Sequence, residues 1–182
     1  MTEVLARGAG ARVQWASFGA VAAAVIVADQ LSKRWIDASF GLAWTSGPLP
    51  GYAAPTPVLG DLVRIAKSYN DGGIFGLFGS SAPILALASL AVIGFIVAYE
   101  VRVARSGPWL LSIALGLLLG GALGNLADRL RLGYVVDFVD VGLGGLRFYT
   151  FNVADSAISV AIVALLVIGL LGERLGLHEG QA

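Results

Sequence analysis

Four aspartates, Asp128, Asp137, Asp140 and Asp155, fall in the single stretch from Gly124 to Ser156, in a chain with twelve acidic residues in all. Grouped carboxylates suit a short list of tasks: general acid–base work, hard-cation ligation, or proton relay. The other residue types shorten the list of partners. The 182 residues include no cysteine and one histidine, His178, in a polar tail. That excludes disulfides, a thiol nucleophile, Cys-ligated zinc and any His-based triad or His-rich metal site. Chemistry must come from Asp, Asn, Ser, Lys, Arg, Tyr and the backbone. The formal net charge is zero, so bulk charge gives no reason to expect a nucleic-acid partner.

The elements that must position these acids are hydrocarbon-compatible. Only 13% of residues are charged and 57% are hydrophobic, against about 25% charged in a soluble domain. The chain therefore reads as one integral membrane domain over residues 1–182. Apolar runs near the ~20 residues a span needs lie at about 13–31, 82–99, 109–126 and 153–172. Residues 1–12 read as a disordered tail, and the first run reads as an uncleaved anchor because three more follow. The long connections are 32–81 and 127–152. Gly41 to Pro57 is Gly- and Pro-rich and reads as loop, Val58 to Tyr69 as strand, and Asn70-Asp71-Gly72-Gly73 as a turn. Residues 39–80 are thus expected to form a small sheet plus an interfacial segment. Gly116, Gly120, Gly124 and Asp128 recur every four residues, a small-residue helix face that predicts close packing in lipid. Four spans place both termini on one side, but charge leaves the orientation open. The termini and the 100–107 connection carry Arg7, Arg12, Arg102, Arg105 and Arg174. The long loops carry Lys33, Arg34, Arg64, Lys67, Arg129, Arg131 and Arg147.

Asp29 and Lys33 share a helix face with the acid N-terminal, the better order for an ion pair, and snorkelling at the interface is the plain reading. Four readings fit the acidic stretch. Structurally, Asn152 and Asp155 make a helix N-cap with an acid in the first turn, Asp128-Arg129 an interfacial pair, and Asp137 and Asp140 lie on a hairpin bent at Gly142 and Gly144-Gly145. A hard-cation site has enough acids but no compact alternating Asp/Asn loop. Ion translocation wants acids midway through spans, whereas these sit at span ends. An aspartic dyad needs two carboxylates close enough to share a proton, one activating water and the other polarising a carbonyl. Asp137 on a strand and Asp155 at a helix start, joined by a hairpin, can supply it.

Five blocks, in order, resemble the lipoprotein signal peptidase family, also called signal peptidase II: Asp29-Gln30-Leu31-Ser32-Lys33; Asn70-Asp71-Gly72-Gly73-Ile74-Phe75-Gly76; Gly124-Asn125-Leu126-Ala127-Asp128-Arg129; Gly133-Tyr134-Val135-Val136-Asp137-Phe138; and Phe151-Asn152-Val153-Ala154-Asp155-Ser156. The resemblance covers roughly residues 15–172. It implies an α-helical membrane protein of four transmembrane helices with a small extracytoplasmic β-cradle and an interfacial segment. It also implies an aspartyl endopeptidase of the bacterial inner membrane that removes signal peptides from diacylglyceryl-modified prolipoproteins. Asp137 and Asp155 match the family's catalytic pair. Asp29, Lys33, Asn70, Gly72, Asn125, Asp128, Arg129, Asn152 and Ala154 match its supporting positions. The implied topology has cytoplasmic termini and an active site near the outer leaflet surface. The implied partners are lipidated precursors and membrane phospholipid, with no nucleic acid, no metal and no cofactor, and a monomer is the default. The Asn70 block departs from the usual Asn-x-Gly-Ala-Ala-Phe. The helix dipole at Asp155 favours its anion, which leaves Asp137 as the expected holder of the shared proton.

Overall fold

The computed structural model describes residues 2–44, 53–72, 82–105 and 107–171. The proposed interfacial residues 74–80, the 173–182 tail and His178 lie outside them. Four helices are long and apolar enough to cross a membrane: α1 (Thr2–Ser39), α2 (Ala82–Val103), α3 (Trp109–Leu132) and α4 (Val153–Leu171). A small sheet comprises β1 (Leu42–Trp44), β2 (Thr56–Leu59), β3 (Val63–Asn70), β4 (Val135–Leu143) and β5 (Leu146–Arg147). This is the four-span fold with a small sheet that the sequence led us to expect.

Helix α3 is the hub and packs against the other three. Its glycines explain how. A Cβ on Gly116 would lie 2.7 Å from the Phe18 carbonyl oxygen, and one on Gly120 would lie 2.7 Å from Val25 Cβ. The four-residue glycine face thus seats α1 directly on the α3 backbone. Gly121, one residue round, seats α4, because a Cβ there would lie 2.5 Å from the Ala154 carbonyl oxygen. Phe18, Ala22, Ile96, Leu111, Leu115 and Leu119 fill the apolar core between α1, α2 and α3. Glu100 on α2 is also fully buried, with no hydrogen bond to either carboxyl oxygen; nothing in the structure explains it.

Gly133 ends α3 in the left-handed conformation (φ 81°), its N–H bonded to the Arg129 carbonyl at 3.1 Å. A side chain is disfavoured there, and the turn sends the chain into β4 two residues later. Strand β3 is the sheet's spine. It pairs antiparallel with β4 and β2 and parallel with β1. The sheet therefore draws on both long connections rather than on residues 39–80 alone. Lys67 and Tyr69 of β3 both bond Asp37 on the last turns of α1, at 3.2 and 3.1 Å, and Tyr69 stacks on Tyr134. These contacts fix the sheet to the end of the bundle.

Three expectations are corrected. Residues 2–12 are not a disordered tail but the first turns of α1, as their Ala, Leu, Arg and Glu content allows. The Gly41–Pro57 stretch is not all loop: it contains β1 and the start of β2, with Pro57 on an edge strand where its missing N–H is tolerated. Finally, α1 and α3 run on to Ser39 and Leu132, so Asp29, Lys33, Asp128 and Arg129 lie within helices.

Candidate active site

Five segments converge where the bundle meets the sheet. Strand β4 supplies Asp137. A hairpin through β5 then folds the chain back until Phe151 pairs with Val139 and accepts the Phe138 and Val139 N–H groups. That pairing sets Asn152, the next residue, beside Asp137. Asn152 then caps α4. Its side-chain oxygen accepts the Asp155 N–H at 2.9 Å, and the Asp155 carboxylate accepts the Asn152 N–H at 3.2 Å. This reciprocal arrangement satisfies two backbone donors of the helix start and fixes the Asp155 rotamer.

The cap uses only one end of the Asn152 amide. The other end donates to Asp137 Oδ1 at 2.7 Å and to Asn125 Oδ1 at 3.1 Å. Asn125 in turn donates to Asp155 Oδ1 at 2.7 Å. One asparagine therefore touches both carboxylates, and a second closes the circuit. The structural reading of Asn152 as a cap and its reading as a site residue are both correct.

Asn70 reaches Asp137 from the far end of β3, donating to Oδ2 at 3.0 Å. Its own oxygen accepts the Gly72 N–H at 2.9 Å in a turn where Gly72 takes φ 80°. Gly72 thus orients the amide that orients Asp137, at a backbone angle other residues avoid. Burial, then the neighbouring Asp155 charge, push the Asp137 carboxyl up to about 7; the Asn70 and Asn152 bonds and Lys33 oppose this.

Beneath the pair lies a buried ionic knot. Lys33 Nζ is 2.9 Å from Asp29, 3.0 Å from Asp128 and 2.9 Å from Asn125 Oδ1, and all three charged side chains are buried. The snorkelling pair and the Asp128–Arg129 pair both give way to this knot, because Lys33 points from α1 into α3 rather than outward. Asp29 also accepts the Ala154 N–H at 3.0 Å, and Asp128 that of Val136 at 3.2 Å. The knot therefore clamps the residues next to Asp155 and Asp137. Ala154 is small because its turn lies against Gly121 and Gly124. Arg129 is half-buried in the field of Asp155, Asp137 and Asp128 but forms no ion pair among the described residues.

Sequence reasoning missed Gln30. Its amide spans Asp29, the Gly124 carbonyl and Asp128 at 3.2, 3.2 and 3.0 Å. Its place one residue after Asp29 was the available signal. Asp140 is the acid that does not join the pair. Three residues from Asp137, it points to the other side of β4 and is held by Arg64 and Arg147 at 2.6 and 2.9 Å.

Fold and site together define a multi-pass membrane protein with an acidic centre where its helices meet its sheet. Comparisons with known proteins agree. The sequence profile described as Signal peptidase (SPase) II matches residues 21–171. The lipoprotein signal peptidase of Caulobacter vibrioides is 39% identical over 171 residues, covering 90% of this chain and 91% of that protein. That of Rhodopseudomonas palustris is 40% identical, covering 79% and 85%. A solved structure described as a bacterial membrane enzyme shares the fold, with a TM-score of 0.70 at 24% identity, over 82% of this chain and 90% of its own. The chain belongs to the signal peptidase II family, and so is a membrane peptidase.

Proposed function

We propose that this protein is an aspartyl endopeptidase that cleaves the signal peptide from diacylglyceryl-modified prolipoproteins, with Asp137 and Asp155 as its catalytic pair. The observation that carries the reading is the bonding of Asn152 to both carboxylates at once. Asp155 sits in the first turn of α4, where the helix dipole and two N–H donors favour its anion. It takes a proton from a water as the oxygen attacks the scissile carbonyl. Asp137, with a carboxyl that holds its proton to about pH 7, donates to the carbonyl oxygen. Collapse of the tetrahedral diol breaks the C–N bond, and a proton from the pair goes to the leaving amine. Asn70, Asn125 and Asn152 hold the pair in register, and Gly72, Asp29, Lys33, Asp128 and Ala154 hold them. Arg129 offsets the carboxylate charge.

The substrate class follows from the curated relatives' name and from depth. A lipidated precursor is embedded by its acyl chains and its signal helix, so its scissile bond lies near the membrane surface, and the acids lie at helix ends. The same reading places the protein in the bacterial inner membrane with both termini cytoplasmic and the sheet outside, acting as a monomer and in contact with phospholipid. The test is a gel-shift assay on a purified diacylglyceryl precursor. Asp137→Asn and Asp155→Asn are each expected to abolish cleavage while the protein still inserts, and a chelator is expected to change nothing. Cleavage by either variant at the wild-type rate, or its loss to chelator, refutes the dyad.

A further inference from the structure

The end of the sheet farthest from the site is apolar and uncovered. Two turns meet there: the β2–β3 turn at residues 60–62 and the β4–β5 turn at 144–145. They are tied by the Asp61 carboxylate accepting the Gly144 N–H and the Leu62 carbonyl accepting the Gly142 N–H. Around them Leu59, Leu62, Leu143, Leu146, Phe148 and Tyr149 are exposed, Leu146 at 85% and Tyr149 at 80%. A water-facing turn is usually polar, and a contiguous apolar patch marks an interaction surface.

The patch carries no unbalanced charge. Behind it, Asp61, Arg64, Asp140 and Arg147 form a closed ring of two acids and two bases, with Arg64 to Asp61 at 3.1 Å and to Asp140 at 2.6 Å, and Arg147 to Asp140 at 2.9 Å and to Asp61 at 3.3 Å. Such a ring suits a medium of low dielectric, where an unpaired charge is costly. It also absorbs Asp140, the acid that the catalytic reading leaves over.

Position selects the medium. Strand β3 crosses the end of α1 at Lys67 and runs four more residues to Val63. At ~3.3 Å per residue that carries the tip about 13 Å past the helix, more than a helix radius of about 5 Å. A sheet laid across the bundle end thus overhangs the lipid around it. The patch then continues the lipid-facing belt of the bundle, where Leu31, Trp35 and Leu130 are exposed near the same ends of α1 and α3. Tyr149, with an apolar ring and a polar tip, suits that boundary.

We propose that the two-turn tip of the sheet is a membrane-insertion wedge: it sits in the headgroup and upper acyl region of the leaflet on the active-site side, and holds the sheet flat over the bundle. The chain has no native cysteine, so Leu59→Cys and Leu146→Cys each carry one thiol for an environment-sensitive fluorophore. Phe95→Cys on the lipid-facing side of α2 is the reference, and circular dichroism confirms that each variant is folded. The proteins are placed in phosphatidylcholine vesicles containing nitroxide-labelled phosphatidylcholine. Labels at 59 and 146 are expected to show blue-shifted emission, lipid quenching comparable to that at 95, and protection from aqueous iodide. Iodide quenching without lipid quenching would mean that the tip stands in water. Protection from both quenchers would mean that a second copy or another protein covers it. Either result overturns the proposal.

Discussion

Asn152→Ser separates the two jobs of Asn152. Serine keeps an oxygen acceptor at the helix cap, where it ranks with asparagine, but cannot donate to Asp137 and Asn125 as the amide does. The lost bond to Asp137 is 2.7 Å long and buried. A hydrogen bond to a charged group is worth about 1.5–3 kcal/mol. If it holds Asp137 in the reactive geometry, kcat falls about 10- to 100-fold, since 1.36 kcal/mol is a factor of ten. Stability changes less, because Lys33 still bonds the Asn125 oxygen at 2.9 Å. Asn152→Ala loses the cap as well, adding about 1 kcal/mol of destabilisation. Both variants should therefore lose similar amounts of kcat, while only alanine shows the larger drop in Tm. Single-turnover cleavage of a lipidated precursor and thermal unfolding in detergent give the two numbers. Wild-type kcat in Asn152→Ser, or kcat that simply tracks Tm across the pair, would show that Asn152 is a cap and nothing more.

Three further outcomes follow from the same geometry. The raised Asp137 value means that this group binds its proton more tightly in the folded state than at its ordinary 3.8. Its contribution to stability is full below 3.8 and is lost as pH rises through about 7, and kcat/KM falls over the same upper range. Asn70→Ala removes a donor that favours the anion, so it should move the alkaline limb of the pH–rate profile upward; a downward move refutes the assignment. Lys33→Met leaves Asp29 and Asp128 buried without their cation. A loss of about 3–5 kcal/mol is expected, partly recovered by adding Asp128→Asn, as read by chemical denaturation in detergent. Gly120→Ala places a Cβ 2.8 Å from the Ala22 carbonyl oxygen, so α1 and α3 should separate at about 1–3 kcal/mol; an unchanged Tm would contradict the backbone-level packing.

The sequence by itself determined the medium, the number of spans and the residue types available for chemistry. These are properties of composition and of short-range periodicity, and each helix carries its own apolar signal. It also marked Asp137 on a strand, Asp155 in a helix first turn and Asn152 as the cap, because capping and hairpin signals are local. The glycine face of α3 was legible for the same reason. Tertiary structure alone decided who meets whom. Asn70 reaches Asp137 across 67 positions and Asp29 holds the Ala154 N–H across 125, and no local pattern encodes such a pairing. It turned Lys33 from a snorkelling side chain into the centre of a buried knot, because α1 continues past the point where its apolar run weakens. It drew the sheet from both long connections, since β3 finds its longest partner in β4. And it joined two turns, each unremarkable in the sequence, into one apolar tip, because a patch is a property of surfaces in contact and not of residues in order.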